Sequence, residues 1–187
     1  GKLYDVIRMD HFRGFEAYWA VPFQDTTAKN GRWIKGPDMD FINAVKNGLP
    51  HIDFIAEDLG FLTQEVLDLR DDAGLPGMKI LEFAFDKRDA NSVEYLPWKY
   101  PVNCVAYTGT HDNDTCVGWM SSANREDVET AIECLGLTEE EGYHWGMMRA
   151  LWCTSAGLTM VQMQDVLGLG SETRMNAPST VGKNWRW

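Results

Sequence analysis

Ile7-Arg8-Met9-Asp10-His11-Phe12-Arg13-Gly14 reads as a strand that ends on a carboxylate. A β-rich run over residues 4–9 leads directly into Asp10 and a polar turn. An unpaired charge at the end of a buried strand costs roughly several kcal/mol, so stability does not place it there. The pattern recurs twice. Phe54-Ile55-Ala56 runs into Glu57-Asp58-Leu59-Gly60, and a β-branched run into Tyr107 precedes Thr108-Gly109-Thr110-His111-Asp112-Asn113-Asp114. Carboxylates delivered by three strand ends point to one shared site.

The rest of the chain alternates strand and helix around these segments. Strands are expected over residues 4–9, 51–56, 78–85, 103–107 and 158–163. Pro37-Asp38 opens a helix with Phe41, Ile42 and Val45 on one face, stopped by Gly48 and Pro50. A second helix follows Thr63 as N-cap, with Val66 and Leu69 inward, and ends near Gly74 and Pro76. A third runs from about Asn124 to Leu135 with Val128, Ile132 and Leu135 as its stripe and Gly136 as its stop. A fourth opens on a capping box, Thr138 with Glu141, and continues through Trp152. The tail from Gly168 reads as an ordered loop.

Such a rhythm is the signature of a parallel sheet built from βα units. Acids at the C-terminal ends of its strands favour a (β/α)8 TIM barrel over a nucleotide-binding sheet. A whole barrel takes eight strands and roughly 250 residues, whereas this chain has 187 residues and opens on a strand that already carries a site residue. The expected fold class is therefore α/β, the C-terminal portion of a barrel. About five βα units would make residues 1–187 a partial catalytic domain whose N-terminal strands are absent. The open sheet edges of such a portion are expected to drive self-association of the isolated chain.

Composition narrows the partners. A net charge of −11 disfavours a nucleic-acid backbone or an anionic membrane surface. No apolar run approaches a membrane span, and no signal-peptide layout precedes the first strand. Cys104, Cys116, Cys134 and Cys153 lack C-x-x-C spacing, so free, mostly buried thiols in a reducing cytoplasm are expected. Aromatic residues make up 12% of the chain, enough to fill a core and to leave flat rings for the apolar face of a sugar.

Arg8 and Asp10, two apart on a strand, share a face. A guanidinium beside an aspartate favours the ionised carboxylate, which can attack as a nucleophile; a buried structural ion pair is the other reading. A glutamate approached through a dry run suits a general acid, although Glu57 or Asp58 can equally cap the following turn. The third segment fails as a calcium loop, because Cys116 and Val117 stand where an oxygen ligand and a glycine are needed. It remains either an Asx-turn cluster or a sugar-binding element in which Asp112 and His111 meet hydroxyls. There is no G-x-S-x-G elbow, Thr173 breaks a dinucleotide fingerprint, and His11, His51, His111 and His144 lack zinc spacing. A pair of carboxylates in opposite protonation states is the working part of glycoside chemistry. Attack by water makes a hydrolase and attack by a sugar hydroxyl makes a transferase, and these residues alone leave both open.

Longer stretches carry a resemblance. They include Arg8-Met9-Asp10-His11-Phe12-Arg13-Gly14-Phe15-Glu16-Ala17-Tyr18-Trp19, Gly31-Arg32-Trp33, Ala56-Glu57-Asp58-Leu59-Gly60 and Gly74-Leu75-Pro76-Gly77-Met78-Lys79. Phe83-Ala84-Phe85-Asp86, the segment Tyr107 to Thr115, Gln164-Asp165-Val166-Leu167-Gly168-Leu169-Gly170-Ser171-Glu172, Arg174-Met175-Asn176 and Asn184-Trp185-Arg186-Trp187 follow in order. In these the chain closely resembles the amylomaltases, or 4-α-glucanotransferases, of the α-amylase clan. The resemblance implies a retaining transfer of α-1,4-glucan segments to the 4-hydroxyl of an acceptor glucose or dextrin. Malto-oligosaccharide is the implied partner, and no organic cofactor or catalytic metal is needed. It implies Asp10 as nucleophile, Glu57 as acid/base, Asp112 as the carboxylate that holds sugar hydroxyls, and Arg8 and His111 as supporting residues. Asp165, Glu172, Arg174 and Asn176 take only a structural or outer-site role. The alternatives are an α-glucan hydrolase of the same clan, or a truncated piece that is inactive and at most binds malto-oligosaccharide.

Overall fold

The computed structural model describes residues 2–187, which divide into two compact units between Met78 and Lys79. The first unit opens with β1 (Val6–Met9) and a single helical turn, α1 (Arg13–Glu16). A hairpin of β2 (Ala17–Ala20) and β3 (Arg32–Lys35) follows, then helix α2 (Asp38–Gly48), β4 (Asp53–Ala56) and helix α3 (Gln64–Asp72). β1 and β4 pair in parallel, in register from Val6 with Asp53 to Met9 with Ala56. A parallel pair needs a long crossover, and the hairpin with α2 supplies it.

The core of this unit gathers Met9, Phe12, Ile42, Phe54, Ala56, Val66, Leu69, Ala73 and Leu75. Phe54, Ile55 and Ala56 are all buried, as in a parallel strand covered on both faces. Ile42 of α2 and Val66 and Leu69 of α3 point inward as their spacing requires. Each large apolar side chain so buried is worth about 1.5–3 kcal/mol. Thr63 takes the N-cap position of α3 in extended backbone, but its side chain accepts no capping bond.

Strand β5 (Gly77–Ile80) runs across the boundary. The second unit continues with β6 (Cys104–Tyr107), helices α4 (Cys116–Ser122), α5 (Arg125–Leu135) and α6 (Tyr143–Trp152), strand β7 (Leu158–Met160) and a short helix, α7 (Met163–Val166). The strand order is β5-β6-β7, with β6 and β7 parallel from Val105 with Leu158 to Tyr107 with Met160. Helix α6 packs on α4, α5 and α7, burying Met147, Met148 and Leu151 completely.

Several expectations shift. The third strand stops at Ile80, and Leu81–Phe85 coil into a 3-10 turn that buries Leu81, Glu82, Ala84 and Phe85 together, which an extended strand with alternating faces does not do. The fifth strand ends at Met160 because α7 follows at once and carries buried Gln164 and Asp165. The helix expected from Thr138 begins at Tyr143, because Gly142 at φ 85° breaks the run. The Thr138 hydroxyl still accepts from the Glu141 N–H at 3.2 Å, while the Glu141 carboxylate pairs with Arg149 at 2.7 Å instead of closing the box. In α5 the buried face is Asp127, Ala131 and Leu135, one position before the expected Val128 and Ile132. Asn124 and Gly136 cap it as expected, Gly136 in the left-handed region at φ 61°. Of the four cysteines, Cys104 and Cys116 are buried but Cys134 and Cys153 are exposed, against the expectation of mostly buried cysteines. Trp19, Trp33, Trp98, Trp145, Trp152, Trp185 and Trp187 are exposed, so tryptophan does not build the cores. Among the described residues no helix is long and apolar enough to cross a membrane.

Candidate active site

The parallel register of β1 and β4 sets Met9 beside Ala56, so the residues that follow, Asp10 and Glu57, leave the sheet as neighbours. The ladder then continues past the strand ends. The Glu57 N–H donates to the Met9 carbonyl at 3.0 Å, and the Phe12 N–H donates to the Glu57 carbonyl at 2.9 Å. The Glu57 carboxylate is held on both oxygens: Oε2 accepts from the His11 N–H at 2.7 Å and Oε1 from the Leu59 N–H at 3.0 Å. Turn capping therefore describes one oxygen of Glu57, while the other grips the residue after Asp10. His11 adopts φ 48°, a left-handed conformation uncommon for a non-glycine residue, and strain of this kind collects at functional sites.

The Asp10 side chain is 76% exposed, with Arg8 Nη2 donating to Oδ1 at 2.7 Å. A buried structural pair is ruled out by that exposure. An exposed pair adds about 0–1 kcal/mol, so it contributes little to stability.

Asp58, adjacent to Glu57, faces the other way. It is buried and accepts from the Met78 N–H at 2.7 Å and from Arg70 Nη1 at 2.6 Å. Burial works against the Arg70 charge, yet hydrogen bonds to Asp58 and Asp71 outweigh it and raise the guanidinium pKa. Gly77 is needed here because a Cβ at that position would collide with the Asp58 carboxylate. The Glu57-Asp58 pair thus divides into one carboxylate left half-buried at the strand end and one committed to structure.

In the second unit the strand-end segment after β6 divides in the same way. Asn113 Oδ1 accepts from the Thr110 N–H at 2.9 Å and the Thr110 hydroxyl at 2.8 Å. Asp114 accepts from the Thr115 N–H and the Ser171 hydroxyl, each at 2.8 Å. Asn113 and Asp114 are thus engaged in structural hydrogen bonds, although neither accepts from the N–H two residues on, as an Asx-turn would. His111 is half-buried and Asp112 exposed, with Nε2 of one 3.3 Å from Oδ2 of the other. The Trp185 ring lies 5.3 Å from the imidazole.

Asp165 is completely buried beneath this segment, accepting from the Thr108 hydroxyl and the Cys116 N–H, each at 2.7 Å. Glu82 is 5% exposed and its Oε1 has no hydrogen-bond partner. Burial pushes its carboxyl well above the usual range, Asp165 and Asp114 add to the rise, and Arg174 opposes it. A carboxyl protonated in the fold and ionised in the unfolded chain supports folding fully below the unfolded value of 4.5. That support is lost as pH rises toward the folded value. Glu82→Gln is therefore expected to match the wild type near pH 4 and to melt at a higher temperature at pH 8. Thermal midpoints followed across that range check it; parallel pH profiles for the two proteins contradict it.

Among the described residues no group of three or more His, Cys, Asp or Glu side chains is arranged to hold a metal ion. The structure thus brings Arg8, Asp10, His11 and Glu57 together in one unit and His111 and Asp112 together in the other. The chain matches the family model described as 4-alpha-glucanotransferase over residues 1–187. The chain belongs to the 4-alpha-glucanotransferase family. A 4-alpha-glucanotransferase of Clostridium butyricum is 53% identical over 187 residues, which are 100% of this chain and 38% of that protein. One from Synechocystis is 46% identical over 185 residues, 98% of this chain and 36% of the relative. The amylomaltase of Streptococcus agalactiae, solved in complex with acarbose, has a TM-score of 0.90 at 36% identity. That match covers 100% of this chain and 37% of the amylomaltase. The chain thus has the α/β fold of part of a TIM-barrel enzyme, and it spans about a third of the length of the relatives it matches.

As a 4-alpha-glucanotransferase family member, the chain has contacts that spacing did not reveal. Asn176 Nδ2 donates to Asp112 Oδ1 at 2.6 Å, its main-chain N–H donates to the His111 carbonyl at 3.1 Å, and Arg174 Nη2 donates to the Asp112 carbonyl at 2.8 Å. The resemblance implied only a structural or outer-site role for both residues. Their separation of more than 60 residues from Asp112 left no periodic signal to find.

Proposed function

We propose that this chain carries the reacting carboxylates of a retaining 4-α-glucanotransferase, within about five βα units of a (β/α)8 barrel. Asp10 attacks the anomeric carbon and forms a covalent glycosyl-aspartate. Glu57 first protonates the leaving glycosidic oxygen and then deprotonates the incoming 4-hydroxyl of the acceptor. Asp112 holds sugar hydroxyls and favours the oxocarbenium-like transition state, with Arg8 and His111 in support. The substrate is malto-oligosaccharide or another α-1,4-glucan, consistent with the acarbose bound by the Streptococcus agalactiae relative.

The observation that carries this reading is the bond from the His11 N–H to Glu57 Oε2 at 2.7 Å. It ties the second carboxylate to the residue following the first, which supports the two acids acting as a pair. Asp10 is exposed for attack, and Glu57 is fixed by two backbone donors. Proximity and orientation of this kind supply much of a catalytic rate.

Maltotriose incubated with the protein that contains this chain tests the proposal. Glucose appearing together with dextrins longer than maltotriose supports transfer. Shortening of every chain supports hydrolysis and contradicts it. A cytoplasmic place and self-association of the isolated chain belong to the same reading; more than one chain per particle in light scattering is the expected result, and a clean monomer opposes it.

A further inference from the structure

We propose that Arg174 and Asn176 are positioning residues for Asp112, holding its carboxylate in the orientation the sugar needs without neutralising its charge. This rests on the glucan-transfer reading above and extends it to the tail of the chain. Asp112 lies in a loop between β6 and α4, without a helix or strand to fix it. Its side chain is half exposed, and a free side chain of this kind samples several rotamers. The tail removes that freedom. Asn176 donates its amide to Oδ1 at 2.6 Å and its main-chain N–H to the His111 carbonyl at 3.1 Å. Arg174 Nη2 donates to the Asp112 carbonyl at 2.8 Å, and Nε donates to the Asn176 carbonyl at 3.2 Å, so the two tail residues brace each other.

The division of labour is chemical. Asn176 is neutral, so it orients the carboxylate and leaves its charge available to a cationic transition state. The guanidinium charge of Arg174 is directed to Asp114, with Nη1 3.7 Å from Oδ2, and to a main-chain carbonyl. Oδ2 of Asp112 stays on the His111 side. Gly118 makes room for this packing, since a Cβ there would collide with the Asp114 carboxylate and the Ser171 hydroxyl.

The test is maltotriose transfer by the protein containing this chain, comparing wild type with Asn176→Ala and Asn176→Asp. Loss of orientation alone costs about 10²-fold in rate. Asn176→Ala is therefore expected to lower kcat by about that factor while KM changes by less than about threefold. Asn176→Asp keeps the shape and supplies a different readout. Two carboxylates in hydrogen-bond contact share one proton, and the protonated partner donates to Asp112 as the amide did. The Asn176→Asp rate, divided by the wild-type rate, should rise about tenfold or more between pH 8 and pH 5. The same ratio for Asn176→Ala should stay level, because His111, Asp112, Asp114 and Arg174, which face this position, are present in every variant. A kcat for Asn176→Ala within about twofold of wild type, with only the thermal midpoint lowered, overturns the assignment. A pH-independent ratio for Asn176→Asp also overturns it. A wild-type protein that transfers nothing removes the proposed function and this assignment with it, which separates the two failures.

Discussion

Asp10→Asn lowers maltotriose disproportionation by about 10⁴-fold or more, the scale on which loss of a covalent nucleophile acts. The substitution changes little else. Asparagine keeps the shape of aspartate and an oxygen able to accept the bond that Arg8 Nη2 makes to Oδ1. The side chain is largely exposed, so the lost ion pair costs at most about 1 kcal/mol of stability. Binding of maltoheptaose, measured by calorimetry, should therefore stay within about threefold of wild type while turnover disappears. Retained turnover takes the nucleophile role away from Asp10. Lost binding together with lost turnover would make Asp10 a substrate-holding residue instead.

Glu57→Gln lowers the same rate by about 10²–10⁴-fold, the contribution expected of a general acid and base. Here the substitution has a second effect that follows from the backbone. Both carboxylate oxygens accept from main-chain N–H groups, one from His11 and one from Leu59. A glutamine has a single carbonyl oxygen, so one of those donors would face an amide NH2. An unsatisfied donor of this sort costs about 1–3 kcal/mol when buried, and some loosening of the His11 turn is expected. The two effects separate by choice of substrate. Fluoride leaves the anomeric carbon of a maltosyl fluoride without protonation, so glycosylation of Asp10 should be nearly restored in Glu57→Gln, whereas maltotriose should stay slow. Equal losses with both substrates would assign the defect to geometry and remove the acid role from Glu57.

These expectations grow from features of the chain that differ in legibility. Strands ending at Met9, Ala56 and Tyr107 were readable because apolar, β-branched runs stop on acids there. Their pairing was not readable, since local pattern carries no information about which strands adjoin. The parallel register of β1 with β4, which makes Asp10 and Glu57 neighbours, emerges only from the fold. The β2–β3 hairpin escaped the sequence reading because its strands are four residues each and no tight-turn dipeptide joins them. Its cross-strand pair of Trp19 and Trp33, 5.3 Å apart, is a tertiary signal.

The acidic segments show the same limit at finer scale. In Glu57-Asp58 and in His111-Asp112-Asn113-Asp114 the sequence offers adjacent carboxylates of equal standing. Burial and partners separate them: Asp58 is spent on Arg70 and Met78, and Asp114 on Thr115 and Ser171. What remains accessible is Glu57 in one unit and Asp112 in the other. The tail was readable as an ordered loop but not as a grip on Asp112, because the contacts of Arg174 and Asn176 depend on where a coil segment docks.

In the proposed reaction Asp10 attacks the sugar while Glu57 manages the proton. The most direct measurement combines Glu57→Gln with a maltosyl fluoride, followed by proteolysis and mass spectrometry. Fluoride departure needs no acid, so the glycosyl-aspartate should form; its breakdown needs the missing base, so the intermediate should accumulate. The expected result is the added mass of one maltosyl group on the peptide containing Asp10. The same mass on the peptide containing Asp112, or fluoride release with no covalent adduct on any peptide, would contradict it.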